Sequence, residues 1–357
     1  MAMNRIFKCF IIFLILACIA GISVFFKLSL RFNFSTIHFN IPSKICLPVN
    51  NNYESNRSNS VIKADNQLQN VKKYTGMWTV GTNGRLGNQM GAFSSLLGLA
   101  NINGHQPYIE QHMYNYLAPY FQITVPLIHN EVANKIKWKH YWLHDWISPE
   151  HKKIEGEFVK FSGYPNSWTF YHHIRDEIRK QFTVHEFIRE DVNSYLQKIK
   201  GMRKNVTYIG VHVRRGDYVH VMPNTWKGVV ADRDYLEKAM KYFRDKYQEP
   251  VFVITSDGLD WCKSNLDNSR GDIYFPGDVT SSTPAVDLAM LIHCNHTIMT
   301  IGTFGFWAGY LTGGEVIYLD KYVLPNSPFL NVFKYEAFYL PEWIGIPANL
   351  STLQKAE

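Results

Sequence analysis

Four short apolar runs, separated by turn residues and helical stretches, constrain this chain more than anything else in its sequence. They are 206–213, 251–255, 297–301 and 316–319. Strands that alternate with helices in this way predict a parallel sheet with crossover helices. The first run carries the most chemistry. Tyr208-Ile209-Gly210-Val211-His212-Val213 leads straight into Arg214-Arg215-Gly216-Asp217, a buried strand ending in a doubly cationic turn. Ligands bind at the C-terminal ends of such strands, and a guanidinium fork suits phosphate oxygens. An Arg–Asp salt bridge closing a surface turn accounts for the same residues.

Two more loops fall at the same predicted edge. Ser256-Asp257-Gly258 follows the second run and offers a carboxylate, and Gly302-Thr303-Phe304-Gly305 follows the third and opens a helix. Thr283-Pro284 starts another helix with proline in its first turn. Helix N-termini favour anions through free N–H groups and the helix dipole. A nucleotide diphosphate would be served by all three loops.

The first half has one comparable unit. Met77-Trp78-Thr79-Val80 reads as a strand, and Gly84-Arg85-Leu86-Gly87-Asn88-Gln89-Met90 as a glycine loop running into a helix over 88–102, with Phe93, Leu96, Leu97 and Ala100 on one face. The glycine spacing is not the dinucleotide fingerprint, and no Walker lysine follows. A further helix is expected over 186–200, closed by Gly201. Between lies an aromatic stretch, including Trp138-Lys139-His140-Tyr141-Trp142 and Ser167-Trp168-Thr169-Phe170-Tyr171-His172-His173. It fits an aromatic core or a carbohydrate platform. The two halves together predict two Rossmann-like domains facing a cleft, one over 76–203 and one over 204–357.

The N-terminus is read separately. Cys9 to Phe26 is uncharged, flanked by Arg5, Lys8, Lys27 and Arg31, and is just long enough to span a bilayer. This gives a tail over 1–8, a transmembrane signal-anchor over 9–26 and an asparagine-rich stem over 27–75. No small-x-small cleavage site follows the apolar run. Sequons at Asn33, Asn56, Asn205, Asn295 and Asn349 all lie beyond it and favour a lumenal body. Four of the seven excess positive charges flank the apolar segment. The body is therefore too weakly basic for nucleic acid. Cys46, Cys262 and Cys294 allow at most one internal disulfide there and show no zinc spacing.

Several of these segments are similar to one family. His212 to Asp217 with the following Tyr218-Val219-His220-Val221-Met222-Pro223, the 84–90 loop, the 167–173 stretch, Cys294 to Gly305 and Phe338-Tyr339-Leu340-Pro341-Glu342-Trp343 resemble galactoside alpha-1,2-fucosyltransferases over roughly residues 76 to 350. The resemblance implies a GT-B-like fold and a Golgi type II membrane enzyme that uses GDP-fucose without a metal ion. It implies inverting transfer to the 2-hydroxyl of terminal β-galactose on glycoproteins and glycolipids, making H-type antigen. It places Arg214 on the diphosphate with Arg215 as support, and His212 and Asp257 on the guanosine. Asp287, Thr303 and Phe304 become further donor-site residues, and Asn88 faces the donor across the cleft. Stem contacts could produce a homodimer.

The proton acceptor is left open. Asp217 lies close to the arginines, where it either accepts a proton or orients them, whereas related alpha-1,6 enzymes carry a glutamate further along this loop and Val219 to Pro223 holds no acid. Two rival readings follow from the residues. Asp232-Arg233-Asp234 imitates the metal-binding pair of another glycosyltransferase class, although Asp234 with Glu237 has the spacing of a helix-capping box. A galactoside-binding lectin would use the aromatic stretch but has little use for the arginines. Acceptor preference is expected within residues 105 to 175.

Overall fold

The computed structural model describes residues 76–276 and 283–354. The expected tail, signal-anchor and stem, Cys46, and the sequons at Asn33 and Asn56 lie outside those residues. Among the described residues no helix is long and apolar enough to cross a membrane.

The first half contains strand β1 (Met77–Val80), helix α1 (Leu86–Asn103), the short strands β2 (Ile109–Glu110) and β3 (Leu127–Ile128), then β4 (Lys139–Leu143), β5 (Phe158–Gly163) and helix α2 (Glu186–Lys200). The second half runs β6 (Val206–Val213), α3 (Tyr218–Trp226), α4 (Arg233–Lys246), β7 (Glu249–Ser256), α5 (Leu259–Asn265), β8 (Ile273–Tyr274), α6 (Pro284–Ile292), β9 (His296–Met299), α7 (Thr303–Thr312), β10 (Val316–Asp320) and β11 (Ile344–Pro347). Two parallel sheets carry the fold. A three-stranded sheet has the order β1-β5-β4, and a six-stranded sheet the order β11-β10-β9-β6-β7-β8. The protein is thus α/β with parallel sheets, and the chain moves from one sheet to the other between Gly163 and Val206.

The position of β6 explains its sequence. It is flanked by β7 and β9, and its last five residues are buried, as expected for a parallel strand covered on both faces. Helix α1 departs from the one-faced reading. Fourteen of its 18 residues are buried, because it packs on β1 on one side and on α7 on the other. A helix buried all round shows no amphipathic stripe. It begins two residues earlier than its periodicity suggests and ends at Gly104, a left-handed C-cap with φ +70°.

Through α1 the two sheets share one continuous hydrophobic core. Tyr171 stacks on Trp307 at 5.5 Å between centroids, and Phe182 meets Trp307 edge-on at 5.1 Å. The aromatic stretch therefore divides. Phe170 and Tyr171 are wholly buried core, whereas Trp142 is 68% exposed on edge strand β4. Cys262 and Cys294 are both buried and free.

Candidate active site

Strand β6 continues to β7 on one side, and the chain later returns through α6 to β9 on the other. The crevice beyond the C-terminal ends of β6 and β9 is consequently the topological switch point, where open parallel sheets bind ligands. A cavity of about 550 Å³ lies there, lined by the loop after β1 as well as by those after β6, β7 and β9.

Backbone donors tie these loops together. The Arg214 N–H donates to Thr300 Oγ1 at 2.9 Å, and the Arg215 N–H to Asp257 Oδ1 at 2.7 Å. The Arg214 guanidinium is paired with Asp217 and with Asp257 and lies over the Tyr218 ring, 4.6 Å from its centroid. The salt-bridge and ligand-binding readings are therefore compatible, since the carboxylates hold a cation that lines the cavity. Gly216 permits this packing: its φ is +31°, and a Cβ there would sit 2.6 Å from an Arg214 nitrogen. Arg215 is built differently. It is absent from the cavity wall, its guanidinium lies 3.8 Å from the Trp261 ring centroid, and it donates to Ala231 O at 3.1 Å.

His212 is buried, with its ring 4.9 Å from that of Phe304 and its Nδ1 without a hydrogen-bond partner among the described residues. Burial, and secondarily the charge of Arg214, lowers its pKa to about 3, so the imidazole is neutral near pH 7. Asp287, in the first turn of α6, lines the same cavity. From across it, Asn88 Oδ1 accepts the Thr303 hydroxyl at 2.9 Å and Gly87 O accepts the Trp307 indole N–H at 3.0 Å. A side chain at residue 87 would place its Cβ 2.6 Å from Thr303 Oγ1 and 2.8 Å from the Phe304 nitrogen. Gly87 is thus what lets the N-termini of α1 and α7 meet.

The cavity's charge is subtler than two adjacent arginines suggest. Its side-chain cations are Arg85 and Arg214, against the carboxylates of Asp217, Asp257 and Asp287. Positive potential comes also from the backbone. Helices α1, α3 and α7 start at this cavity, and none has a side-chain cap on its first turn. Each helix N-terminus is equivalent to roughly half a positive charge with free N–H donors. Arg85 was visible in the glycine loop, but only that loop's backbone stood out in the sequence. Its guanidinium has no carboxylate partner among the described residues, and its charge reaches Tyr218.

A second cavity, also about 550 Å³, adjoins the first and shares Asn88, Tyr218, Ile301, Gly302 and Thr303 with it. Trp142, Trp146, Tyr164 and Trp226 line it, and the Lys334 ammonium lies 4.1 Å from the Trp146 ring centroid. Asp145 also lines it, and burial pushes that carboxyl's pKa up to about 7 even though its Oδ1 accepts the Asn166 N–H at 2.8 Å.

The candidate metal pair is elsewhere. Asp232, not Asp234, is the N-cap of α4, its Oδ1 accepting the Tyr235 N–H at 2.8 Å. This corrects the capping-box reading: the helix starts at Arg233, leaving Asp234 in the first turn. Neither aspartate lines either cavity. Among the described residues no three His, Cys, Asp or Glu side chains are grouped to hold a metal. Asn205 and Asn349 are exposed. The exposed Asn295 is engaged, its Oδ1 accepting the Tyr208 N–H at 2.9 Å, and the Thr297 of its sequon is buried in β9.

A switch-point cavity rich in helix N-termini and joined to an aromatic one gives this α/β protein the layout of a site for an anionic ligand beside a second ligand. The chain belongs to glycosyl transferase family 11, which it matches over residues 48–347. Galactoside alpha-(1,2)-fucosyltransferase 2 of Rattus norvegicus is 52% identical over 314 residues, spanning 87% of this chain and 88% of that protein. The Bos taurus protein of the same name is 55% identical over 282 residues, spanning 78% and 82%. Solved structures with similarity include the fucosyltransferase NodZ from Bradyrhizobium, 13% identical with a TM-score of 0.46 over 65% of this chain and 91% of that one. A mutant of Arabidopsis thaliana FUT1 in complex with GDP is 13% identical with a TM-score of 0.49, over 77% and 78%.

Proposed function

We propose that this protein transfers L-fucose from GDP-fucose to the 2-hydroxyl of a terminal β-galactose on glycoproteins and glycolipids, with inversion and without a metal ion, on a GT-B-like scaffold. The observation that carries the reading is the shared wall of the two cavities, Asn88, Tyr218 and Ile301 to Thr303. A nucleotide sugar seated in the first cavity and a galactoside in the second would bring fucose C1 and an acceptor hydroxyl together at that wall. The names of relatives more than half identical in sequence support the same transferred sugar, acceptor class and linkage.

The chemistry asks for stabilisation of the leaving group. As the bond between fucose C1 and phosphate oxygen breaks, negative charge grows on GDP and oxocarbenium character on the sugar. Arg214 is already oriented by two carboxylates, so little reorganisation is needed at that moment. Arg85 and the N-termini of α1, α3 and α7 add donors from the facing walls. Asp217 and Asp257 are taken up by Arg214, which argues against their holding a magnesium ion. Neutral His212 and the Phe304 ring offer a flat, partly polar wall for the guanine. On the other side, sugar C–H faces pack on the exposed Trp142. The apolar segment 9–26 and the exposed Asn205 and Asn349 support a single-pass placement in the Golgi membrane with the body in the lumen.

Isothermal titration of the full chain with GDP and a transfer assay on terminal galactosides, each with and without EDTA, test this. GDP binding and EDTA-insensitive transfer are expected. Galactoside binding without GDP binding would make the protein a lectin, and loss of activity in EDTA would restore the metal-dependent reading.

A further inference from the structure

Inversion needs a group to remove the acceptor proton, and the β6 loop does not supply one. Asp217 is paired with Arg214, and Tyr218 to Trp226 form a helix without an acid. The second cavity does hold an acid. Among its lining residues only Asp145 is a carboxylic acid, half-buried beside Trp142 and Trp146. The structure fixes it in place. Its Oδ1 accepts the Asn166 N–H and its backbone oxygen accepts the Ser167 N–H at 3.1 Å. Asn166 is itself held, its carbonyl accepting the hydroxyl of fully buried Tyr171 at 3.0 Å. Oδ2 carries no protein hydrogen bond among the described residues and is left for a ligand.

We infer that Asp145 is the general base of the transfer, receiving the acceptor's hydroxyl proton on Oδ2 from within the second cavity. The inference rests on the fucosyl-transfer reading above. The acceptor oxygen bonds to fucose C1 while the bond from C1 to the β-phosphate oxygen breaks. The electron pair of that bond leaves with GDP, and the proton passes to the Asp145 carboxylate. Burial supports the role. It moves this carboxyl towards neutrality, and a base is most effective with a pKa near the working pH. The titratable groups around it are His144, Tyr164, Tyr171 and Tyr218, with Lys334 over the Trp146 ring. Burial first, and then Tyr310 and Asp145, raises the Tyr171 phenol well above its ordinary range, and His144, the histidine beside Asp145 in the same cavity wall, serves as the control position.

The test uses the full chain in detergent with GDP-fucose and a β-galactoside. In Asp145→Asn, kcat should fall by roughly 10²–10⁴-fold while GDP affinity is kept. Wild-type kcat should fall as pH drops below about 7. That limb should vanish in Asp145→Asn and persist in His144→Gln. Azide, a nucleophile that needs no deprotonation, should restore GDP release in Asp145→Asn by forming fucosyl azide.

Folding is checked separately. The raised pKa means the folded protein binds more protons, so stability falls as pH rises from about 3.8 to about 7. Asparagine has no such loss, so Asp145→Asn should melt no lower than wild type at about pH 8. Transfer by Asp145→Asn within about threefold of wild type would overturn the assignment. So would failure of azide to restore turnover in a variant that still binds GDP, or loss of GDP binding in the variant. A wild type that binds GDP yet transfers no fucose would instead overturn the function itself, before any variant is measured.

Discussion

At the scale of single residues, the two adjacent arginines do different work. Arg215 is packed against Trp261 behind the site, while Arg214 is held by Asp217 and Asp257 at its mouth. The sequence showed that cations leave β6, but nothing in a dipeptide tells which guanidinium turns inward. That depends on Trp261, far along the chain. The separation predicts that Arg214→Lys loses at least about a hundredfold in kcat/KM, roughly 3 kcal/mol, because an ammonium cannot reach both carboxylates and an anion in one plane. Its melting temperature should change little. Near-wild-type turnover in a steady-state assay would contradict the role given to Arg214. Asp145 illustrates the opposite case: an aspartate between two aromatics carries no motif, and only the fold shows which cavity it faces.

At the scale of elements, legibility followed burial and length. β6 and α2 fall at the bounds their patterns predict, because one is a central strand with a continuous apolar run and the other has a clear polar and apolar face. The strands that escaped notice are β2, β3, β4, β5, β8 and β11, and all of these but β5 are sheet edges. β4 is mostly solvent-facing and aromatic, so it read as a platform. β11 contains a glycine and ends in Pro347, residues that usually argue against a strand. Helix α3 was hidden for a related reason, since Pro223 lies inside it and its first residues alternate like a strand. The meeting of α1 and α7 is the element-level feature most open to test. A methyl group at residue 87 would press on Thr303 and on the backbone of Phe304. Gly87→Ala should therefore cost about 1–3 kcal/mol of stability by overpacking. It should also weaken GDP binding, since it pushes two of the helix N-termini apart. A variant with unchanged melting temperature and GDP affinity would show that this approach is not needed.

At the scale of the whole molecule, the two α/β halves are joined by a continuous hydrophobic core. That core runs through both sheets, with α1 packed between β1 and α7. The sequence suggested two domains because each half begins with a strand, a glycine loop and a helix. It could not show that Tyr171, Phe182 and Trp307 would pack together across the halves. Both cavities are therefore built on one core and meet along a common wall, formed by residues as far apart in the chain as Asn88 and Thr303.

The proposed function comes down to the geometry of transfer at that wall. Nuclear magnetic resonance of the product made from GDP-fucose and a simple β-galactoside tests it most directly. A single new α-linked fucose on the 2-hydroxyl of galactose, formed from the β-linked donor, is expected. Fucose on another hydroxyl, a retained β-linkage, or release of free fucose alone would contradict it.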